Sequence, residues 1–183
     1  MVHADNSPEH IMKKSLKIMI LSVFLTAPWI CSGATSDLEK EKRWSEQIAD
    51  GLLVGMGGLN YASSAYLYAA NYAKERIQFK APLSEKQGYT HKLIIPNIVR
   101  LAAAEAFIEE TAVRLDSGEK DLEVEGSIAK LFATESANKA AEDAIQALGG
   151  YGYIAEYEVE KIKRDVRITC IYEGTSEIQQ NII

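Results

Sequence analysis

The feature that most constrains this chain is a succession of helix-length segments with very little strand pattern. From Leu38 onward, apolar residues recur at the three- and four-residue spacing of a helix, as they do between Leu59 and Ala73. No alternation of apolar and polar residues, the period that a strand requires, extends beyond a few positions. Glycines at positions 51, 55, 57 and 58 leave room in the first helix for a closely packed neighbour. The sequence therefore predicts an all-α fold, an antiparallel bundle of four or five helices.

Local signals predict where the first two helices end. Pro82 ends the first helix, and Ser84 with Gln87 has the spacing of a capping box for the second. We expect that second helix to run to about Asp116, with Pro96 either kinking its early part or ending a first turn. The segment "DSGEKD" then forms a turn.

The remaining helices are predicted from one apolar face and two further signals. The third helix has small apolar residues along one face, namely Ala137, Ala141, Ala144 and Leu148. The glycine pair at 149 and 150 ends it. The segment "EYEVEKIKRDVR" predicts a short fourth helix, and Ser176 with Gln179 has the spacing that would cap the last one.

Composition describes an ordinary globular protein and excludes several classes of function. With 183 residues, of which 47% are hydrophobic and 25% charged, the chain can build one full core with an appendage. A net charge of -6 without a dense basic cluster argues against nucleic acid as a partner. Two cysteines, Cys31 and Cys170, fit neither a disulfide framework nor a zinc ligand set, and three histidines do not favour a metal site.

The N-terminal segment, residues 1–37, differs from the helical domain, residues 38–183. Three lysines between positions 13 and 17 precede "IMILSVFLTAPWICSGA", an apolar run shorter than the roughly 18–20 residues of a membrane span. Two interpretations stay open: a helix packed on the main body, or a secretory signal over residues 12–34. Acidic residues before the lysines count against a signal. We therefore expect a cytoplasmic protein, with export as the alternative.

The segment "IYEGTSEIQ", residues 171–179, contains the first candidate for chemistry. Glu173 follows two apolar residues and precedes Gly174, where a ligand or another backbone can approach closely. A carboxylate in an apolar, accessible place has a raised pKa, which is the condition for a general base near neutral pH. The alternative is a helix-entry turn in which Glu173 is solvated and Thr175 or Ser176 caps the following helix.

Two further segments interrupt the helical pattern. "RIQF", Arg76 to Phe79, combines a cation, an amide and an aromatic ring, a set that suits a phosphate and a planar group. In the alternative interpretation, Arg76 balances the dipole of the helix end while Phe79 packs in the core. "QALGGYGY", Gln146 to Tyr153, has glycines that let backbone amides meet a ligand, although a glycine pair also commonly ends a helix.

Taken together, these segments resemble the C-terminal helical domain of the acyl-CoA dehydrogenase family. The resemblance covers roughly residues 40–183 and rests on four motifs in the expected order and spacing: "RIQF" from 76, "QALGGYG" from 146, "RD" at 164, and "IYEGTSEIQ" from 171. It implies a FAD-dependent enzyme that oxidises an acyl-CoA thioester to the 2,3-enoyl product. It also implies that Glu173 is the base that removes the alpha proton, and that Gly174 lies by the thioester.

The resemblance further implies a set of FAD contacts. Arg76 and Gln78 match residues that contact the FAD of a neighbouring subunit, and Phe79 packs beside it. The full implied set is Arg76, Gln78, Phe79, Lys86, Gln87, Gln146, Ala147, Leu148, Gly149, Gly150, Thr175, Ser176 and Glu177. Expected partners are an acyl-CoA substrate, an electron-accepting protein, and either further copies of the chain or a partner chain.

Departures from the family pattern leave a second hypothesis open. The resemblance places a helical domain and a strand-rich domain ahead of this bundle, and neither is found in this sequence. Lys80 replaces the glycine that is usual after the phenylalanine of "RIQF", and Lys86 also differs in residue type. Catalysis therefore needs other domains or chains. The alternative is a non-catalytic helical assembly module, or a truncated remnant, that keeps the motifs as packing contacts.

Overall fold

In a computed structural model, residues 37–183 are described, and Lys40–Ile183 form one compact unit. The helices are α1 (Asp37–Glu75), α2 (Gln87–Tyr89), α3 (Ile95–Asp116), α4 (Glu123–Leu148), α5 (Gly150–Tyr153), α6 (Val159–Arg167) and α7 (Ser176–Ile182). A two-residue hairpin, β1 (Ile77–Gln78) and β2 (Ala81–Pro82), lies between α1 and α2. Short 3-10 turns occupy Leu83–Glu85 and Ile168–Cys170, and a π turn occupies Thr90–Ile94. The helical bundle confirms the predicted fold class.

Glycines in α1 let the long helices approach one another closely. A Cβ atom on Gly55 would lie 3.0 Å from Ile108 Cδ1 of α3 and 3.2 Å from Ala133 Cβ of α4. A Cβ on Gly58 would likewise contact Ala137 at 3.5 Å. Such spacing brings helix backbones together and lets small side chains fill the interface at native density. The predicted close neighbour is thus real at these positions, whereas Gly57 faces open space.

Alanine dominates the buried face of α4. Its fully or nearly fully buried alanines are Ala129, Ala133, Ala137, Ala140, Ala141, Ala144 and Ala147. Opposite them, α1 buries Leu59, Ala62, Ala65, Ala69 and Ala73. Of the residues whose helical spacing predicted these faces, Tyr66 is only half-buried, and the others are buried: Leu59, Ala62, Ala69, Ala73, Ala137, Ala141, Ala144 and Leu148.

The structure corrects the predicted start of the second long helix. Ser84 lies inside the 3-10 turn, and the residue before α2 is Lys86, with no side-chain capping bond at either start. The capping box of Ser84 with Gln87 is therefore wrong. The prediction that Pro82 ends the first helix is wrong as well, because α1 ends at Glu75 and Pro82 lies in β2. Pro96 lies in the first turn of α3, directly after the π turn Thr90–Ile94, so the regular α-helix is interrupted just before the proline, where the sequence predicted a kink or the end of a first turn. The predicted end at Asp116 is confirmed.

The cap of the last helix is one residue earlier than the pairing of Ser176 with Gln179 predicted. Thr175 is the N-cap, and its Oγ1 accepts a hydrogen bond from the backbone N–H of Ile178 at 3.3 Å. Ser176 is the first helical residue, and its hydroxyl contacts Glu135 of α4. Of the two caps considered for this turn, the structure selects Thr175.

The apolar run of the N-terminal segment, and with it the signal interpretation and the predicted compartment, lies outside the described residues. Within residues 37–183, no helix has both the length and the apolar character needed to cross a bilayer.

Candidate functional site

A cavity of about 430 Å³ lies where α1 and α4 end. It is lined by Tyr72, Arg76, Gln78, Leu83, Gln146, Ala147, Leu148, Gly149, Gly150, Tyr151 and Ile154. Seven of the predicted FAD contacts are in this lining, and they come from two motifs that are distant in the sequence. The fold thus brings "RIQF" and "QALGG" together around one cavity.

The break after α4 gives one side of the cavity its shape. Gly149 has φ 62° and ψ -134°, a backbone conformation that other residues rarely adopt. Its N–H donates to the carbonyl of Gln146 at 3.2 Å, which closes the helix end. A Cβ on either Gly149 or Gly150 would meet nothing within 4 Å, so the backbone here is open to a ligand.

Arg76 lies on the opposite side of the cavity, at the point where the chain leaves α1. Its N–H donates to Tyr72 at 2.8 Å and its carbonyl accepts from Leu83 at 2.9 Å, which fixes its backbone between the helix and the hairpin. The guanidinium group is exposed and forms no ion pair with any other residue of the described range. A fork of N–H donors is therefore available for phosphate oxygens.

Tyrosine rings complete the cavity. Tyr72 and Tyr151 meet edge to face, with ring centroids 6.2 Å apart and an interplanar angle of 69°. Tyr89 donates from its hydroxyl to the carbonyl of Ala147 at 3.1 Å, and burial raises its pKa to about 12. Tyr89 thereby holds the last turn of α4, which carries the residues that line the cavity.

Phe79, Lys86 and Gln87 are not in the cavity lining. Phe79 is 91% exposed at the tip of the hairpin, so the alternative in which it packs in the core is wrong. Phe79 and Lys80 form the two-residue turn with φ values of 50° and 67°. A turn with two positive φ angles favours glycine, which accounts for the glycine that the family pattern has in place of Lys80. The predicted FAD contacts of Phe79, Lys86 and Gln87 stay predictions.

Glu173 and Gly174 form a second, separate site, a turn in which both residues have positive φ, 52° and 90°. The carbonyl of Glu173 accepts a hydrogen bond from Gln179 Nε2 at 3.2 Å. A Cβ on Gly174 would lie 2.5 Å from that same nitrogen. Gly174 therefore makes room for Gln179 of its own chain, a reason for glycine that the sequence did not indicate.

The surroundings of Glu173 are partly apolar. Glu173 and Tyr172 are both half-buried, whereas Ile171 is 47% exposed. Burial, together with the neighbouring Glu173 carboxylate, raises the pKa of Tyr172 to about 12. Glu173 is therefore only partly accessible to water.

Lys130 of α4 is a residue of this site that the sequence analysis missed. It is 1% exposed, and its Nζ donates to the carbonyl of Gly174 at 2.5 Å. Burial lowers its pKa, and Cys170, Glu135, Glu173 and Glu177 act in the opposite direction. One signal was available: Lys130 lies at helical spacing from Ala133 and Ala137, in register with the apolar face of α4.

The residues after Gly174 mostly interact within the chain. Ser176 Oγ donates to Glu135 Oε1 at 2.5 Å and is buried, while Thr175 caps α7. Glu177 is exposed, and its own backbone N–H and the Thr175 hydroxyl lower its pKa. The FAD contacts predicted for these three residues stay predictions. Within residues 37–183 no group of three or more His, Cys, Asp or Glu residues is placed to hold a metal ion.

Comparisons with known proteins give a consistent picture. Residues 51–183 match the acyl-CoA dehydrogenase C-terminal domain family. The chain is 44% identical over 130 residues to a 3-(aryl)acrylate reductase of Clostridium sporogenes, covering 71% of this chain and 34% of the relative. It is 38% identical over 130 residues to the subunit CarC of the caffeyl-CoA reductase-Etf complex of Acetobacterium woodii, with the same two coverages.

The fold agrees with a solved structure as well. Butyryl-CoA dehydrogenase from Megasphaera elsdenii superposes with a TM-score of 0.72 at 34% identity, covering 77% of this chain and 37% of that one. The chain thus spans about a third of the length of the relatives that it matches. It belongs to the acyl-CoA dehydrogenase family, of which residues 51–183 form the C-terminal domain.

Proposed function

We propose that this chain supplies the base and part of the cofactor site of a FAD-dependent acyl-CoA dehydrogenase, which oxidises acyl-CoA to 2,3-enoyl-CoA. The observation that carries the proposal is the turn that presents Glu173. The carboxylate is half-buried, and the carbonyl groups of Glu173 and Gly174 are both held by side chains of the same domain. A base has to be held in position relative to the proton that it removes.

Glu173 acts on the carbon next to the thioester. Its carboxylate accepts the alpha proton. FAD, when bound, accepts the beta hydrogen as hydride. The protein's own contribution is to hold the carboxylate in position and, by half-burying Glu173, to limit its contact with water.

The cavity fits a dinucleotide better than it fits a small apolar ligand. It offers the Arg76 guanidinium, the amides of Gln78 and Gln146, and open backbone at Gly149 and Gly150. These groups suit phosphate oxygens and polar edges. Tyr72 and Tyr151 add flat faces for a planar ring. We therefore propose that Arg76, Gln78 and residues 146–150 hold part of FAD. In this proposal Arg76 and Gln78 contact the FAD of a neighbouring subunit, Phe79 packs beside it, and Lys86 and Gln87 make further contacts of the same kind.

Partners follow from the same proposal. Because the chain spans about a third of the length of its relatives, we propose that a longer chain or a partner chain supplies the other domains of the family pattern, and that further copies of this domain form an oligomer. The relative from Acetobacterium woodii is named as a subunit of a complex with Etf. An electron-accepting protein is accordingly the partner that we propose for reoxidation of the flavin.

Replacing Glu173 with glutamine tests the proposed function. In the complete FAD-loaded enzyme that contains this domain, Glu173→Gln should slow substrate-dependent bleaching of the flavin by about 10²–10⁴-fold, because the base is lost. The visible flavin spectrum of the resting protein should not change. The matched control is Glu105→Gln, on an exposed position of α3, which should bleach at the wild-type rate.

Two outcomes would count against the proposal. If flavin bleaching in Glu173→Gln were as fast as in the wild type, Glu173 would not be the base. A protein that assembles into oligomers but takes up no FAD would favour the alternative, a non-catalytic assembly module. Visible absorbance before and after addition of FAD separates these two failures, since the first leaves flavin binding intact and the second does not.

A further inference from the structure

A lysine is buried beneath the turn that carries the proposed base. Lys130 lies near the start of α4 with 1% of its surface exposed, and its stem packs close to Gly51 of α1, where a Cβ would lie 3.6 Å from Lys130 Cβ. An uncharged side chain of similar length would fill this space at a lower cost of desolvation. The packing of the bundle alone therefore does not explain an ammonium group at this position.

The ammonium group is directed at the backbone of the base turn. Nζ donates to the carbonyl of Gly174 at 2.5 Å, while Gln179 Nε2, on a side chain that is 8% exposed, donates to the carbonyl of Glu173 at 3.2 Å. Two consecutive carbonyl groups are thus held by two buried donors, one from α4 and one from α7. These bonds are made where both residues have positive φ, a conformation that Glu173 adopts only at a cost.

The charges around Lys130 explain how the domain accommodates it. The carboxylates of Glu135, Glu173 and Glu177 and the Cys170 thiol each act to raise the pKa of Lys130, against the effect of burial. Arg167 is a second cation in this region, and it acts to lower the pKa of Glu177 and of Cys170. Acidic groups of the base turn and the surrounding helices therefore offset part of the desolvation cost of the buried ammonium, although burial remains the larger effect on its pKa.

We propose that Lys130 is a positioning residue, whose ammonium group fixes the Gly174 carbonyl and thereby the turn that aims Glu173 at the substrate. The inference rests on the proposed role of Glu173. The new element is that the position of Glu173 depends on Lys130 of α4, which lies 43 positions earlier in the chain and contacts the backbone of the turn. Lys130 acts through the backbone of the turn and is not itself in contact with the reacting atoms.

The test compares one substitution at two lysines of the same helix, in the complete FAD-loaded enzyme. Lys130→Met keeps the volume of the stem and removes the donor. Lys139→Met removes a partly exposed lysine that pairs with Asp143, away from the turn. In Lys130→Met, amide hydrogen exchange in the peptide 171–179 should become faster, and flavin bleaching by substrate should slow by about 10- to 100-fold. Lys139→Met should change neither.

The pH profile separates positioning of the base from a general loss of structure. Removing a cation near Glu173 disfavours its carboxylate, so the acid limb of the bleaching rate should move to higher pH in Lys130→Met. Glu135, Glu177, Cys170 and Arg167 are present in both proteins and leave the comparison unaffected. FAD content should equal that of the wild type, because Lys130 is not in the lining of the cavity.

Each result decides the proposal. Wild-type exchange and rate in Lys130→Met overturn it. If that variant does not fold, the smaller Lys130→Leu replaces it, and failure of both to fold also overturns the proposal, since Lys130 would then support the whole fold and not the turn. Faster exchange in peptide 171–179 of Lys130→Met would show that Lys130 holds the turn even if Glu173→Gln reacted at the wild-type rate. A failure of the proposed function would therefore be recognised separately from a failure of this proposal.

Discussion

The cavity at the end of α4 and the turn around Glu173 are built in different ways. The cavity presents the exposed guanidinium of Arg76, which forms no ion pair within residues 37–183, and open space in front of the backbone at Gly149 and Gly150. The turn is the reverse, because its carbonyl groups are engaged by Lys130 and Gln179 from within the domain. One region is available to a partner, and the other is held by its own chain.

This difference shows which changes should affect binding alone and which should affect stability as well. Where backbone and side chains face open space, a substitution alters only what a ligand meets. Where the donors and acceptors are already paired within the protein, the same kind of substitution leaves a buried group unsatisfied and moves its neighbours. The following three substitutions test this contrast.

Gly174→Ala should have the largest effect, because it acts on the turn in two ways. The new Cβ would lie 2.5 Å from Gln179 Nε2, and alanine at φ 90° is strained. We expect a loss of about 1–3 kcal/mol in the free energy of unfolding and a fall of about 10²-fold in flavin bleaching by substrate. Urea unfolding and stopped-flow absorbance measure the two quantities.

The control for Gly174→Ala is Gly57→Ala in α1, which faces open space without a positive φ. Alanine there should stabilise the helix by up to about 1 kcal/mol. If Gly174→Ala unfolded and reacted like the wild type, the turn would not be held as tightly as its contacts indicate, and the contrast with the cavity would fail.

Gly150→Ala should affect the cavity without affecting stability. A Cβ at this position meets nothing within 4 Å and no positive φ is required, so the free energy of unfolding should stay close to that of the wild type. A methyl group in the cavity should nevertheless keep the cofactor from the backbone and weaken FAD binding by about 10-fold, or about 1.4 kcal/mol. Fluorescence titration with FAD measures the change.

Gly88→Ala provides the matched control, since Gly88 also faces open space but does not line the cavity. It should bind FAD like the wild type. Equal FAD affinities in Gly150→Ala and Gly88→Ala would contradict the assignment of the cavity to the cofactor.

Lys80→Gly should have the smallest effect and act in the favourable direction. Lys80 has φ 67° in the hairpin turn, and glycine adopts that conformation without steric strain. We expect a gain of up to about 1 kcal/mol and a rise in melting temperature of about 2–4 °C for a chain of this size. The control is Lys74→Gly in the last turn of α1. Glycine disfavours a helix, so this substitution should lower the melting temperature. A lower melting temperature for Lys80→Gly would contradict this prediction, because it would mean that the Lys80 side chain stabilises the fold by more than its backbone strain destabilises it.

Much of the fold could be predicted from the sequence because its signals are local. The end of α3 at Asp116 and the end of α4 before Gly149 follow from residues next to them. The motifs of the family resemblance named seven of the eleven residues that line the cavity. The capping box at Ser84 failed because the chain forms a hairpin and a 3-10 turn there, which short-range spacing does not reveal. Lys130 was missed because its role depends on a carbonyl 44 positions away.

Helix α4 contributes to both regions and therefore sets the distance between them. Lys130 contacts the base turn near one end, and Gln146 lines the cavity near the other. At a rise of 1.5 Å per residue, this part of the helix spans about 24 Å. The length of the helix thus fixes the separation of the base turn and the cavity. Inserting or deleting residues between Lys130 and Gln146 would change both this distance and the rotation of one region relative to the other about the helix axis.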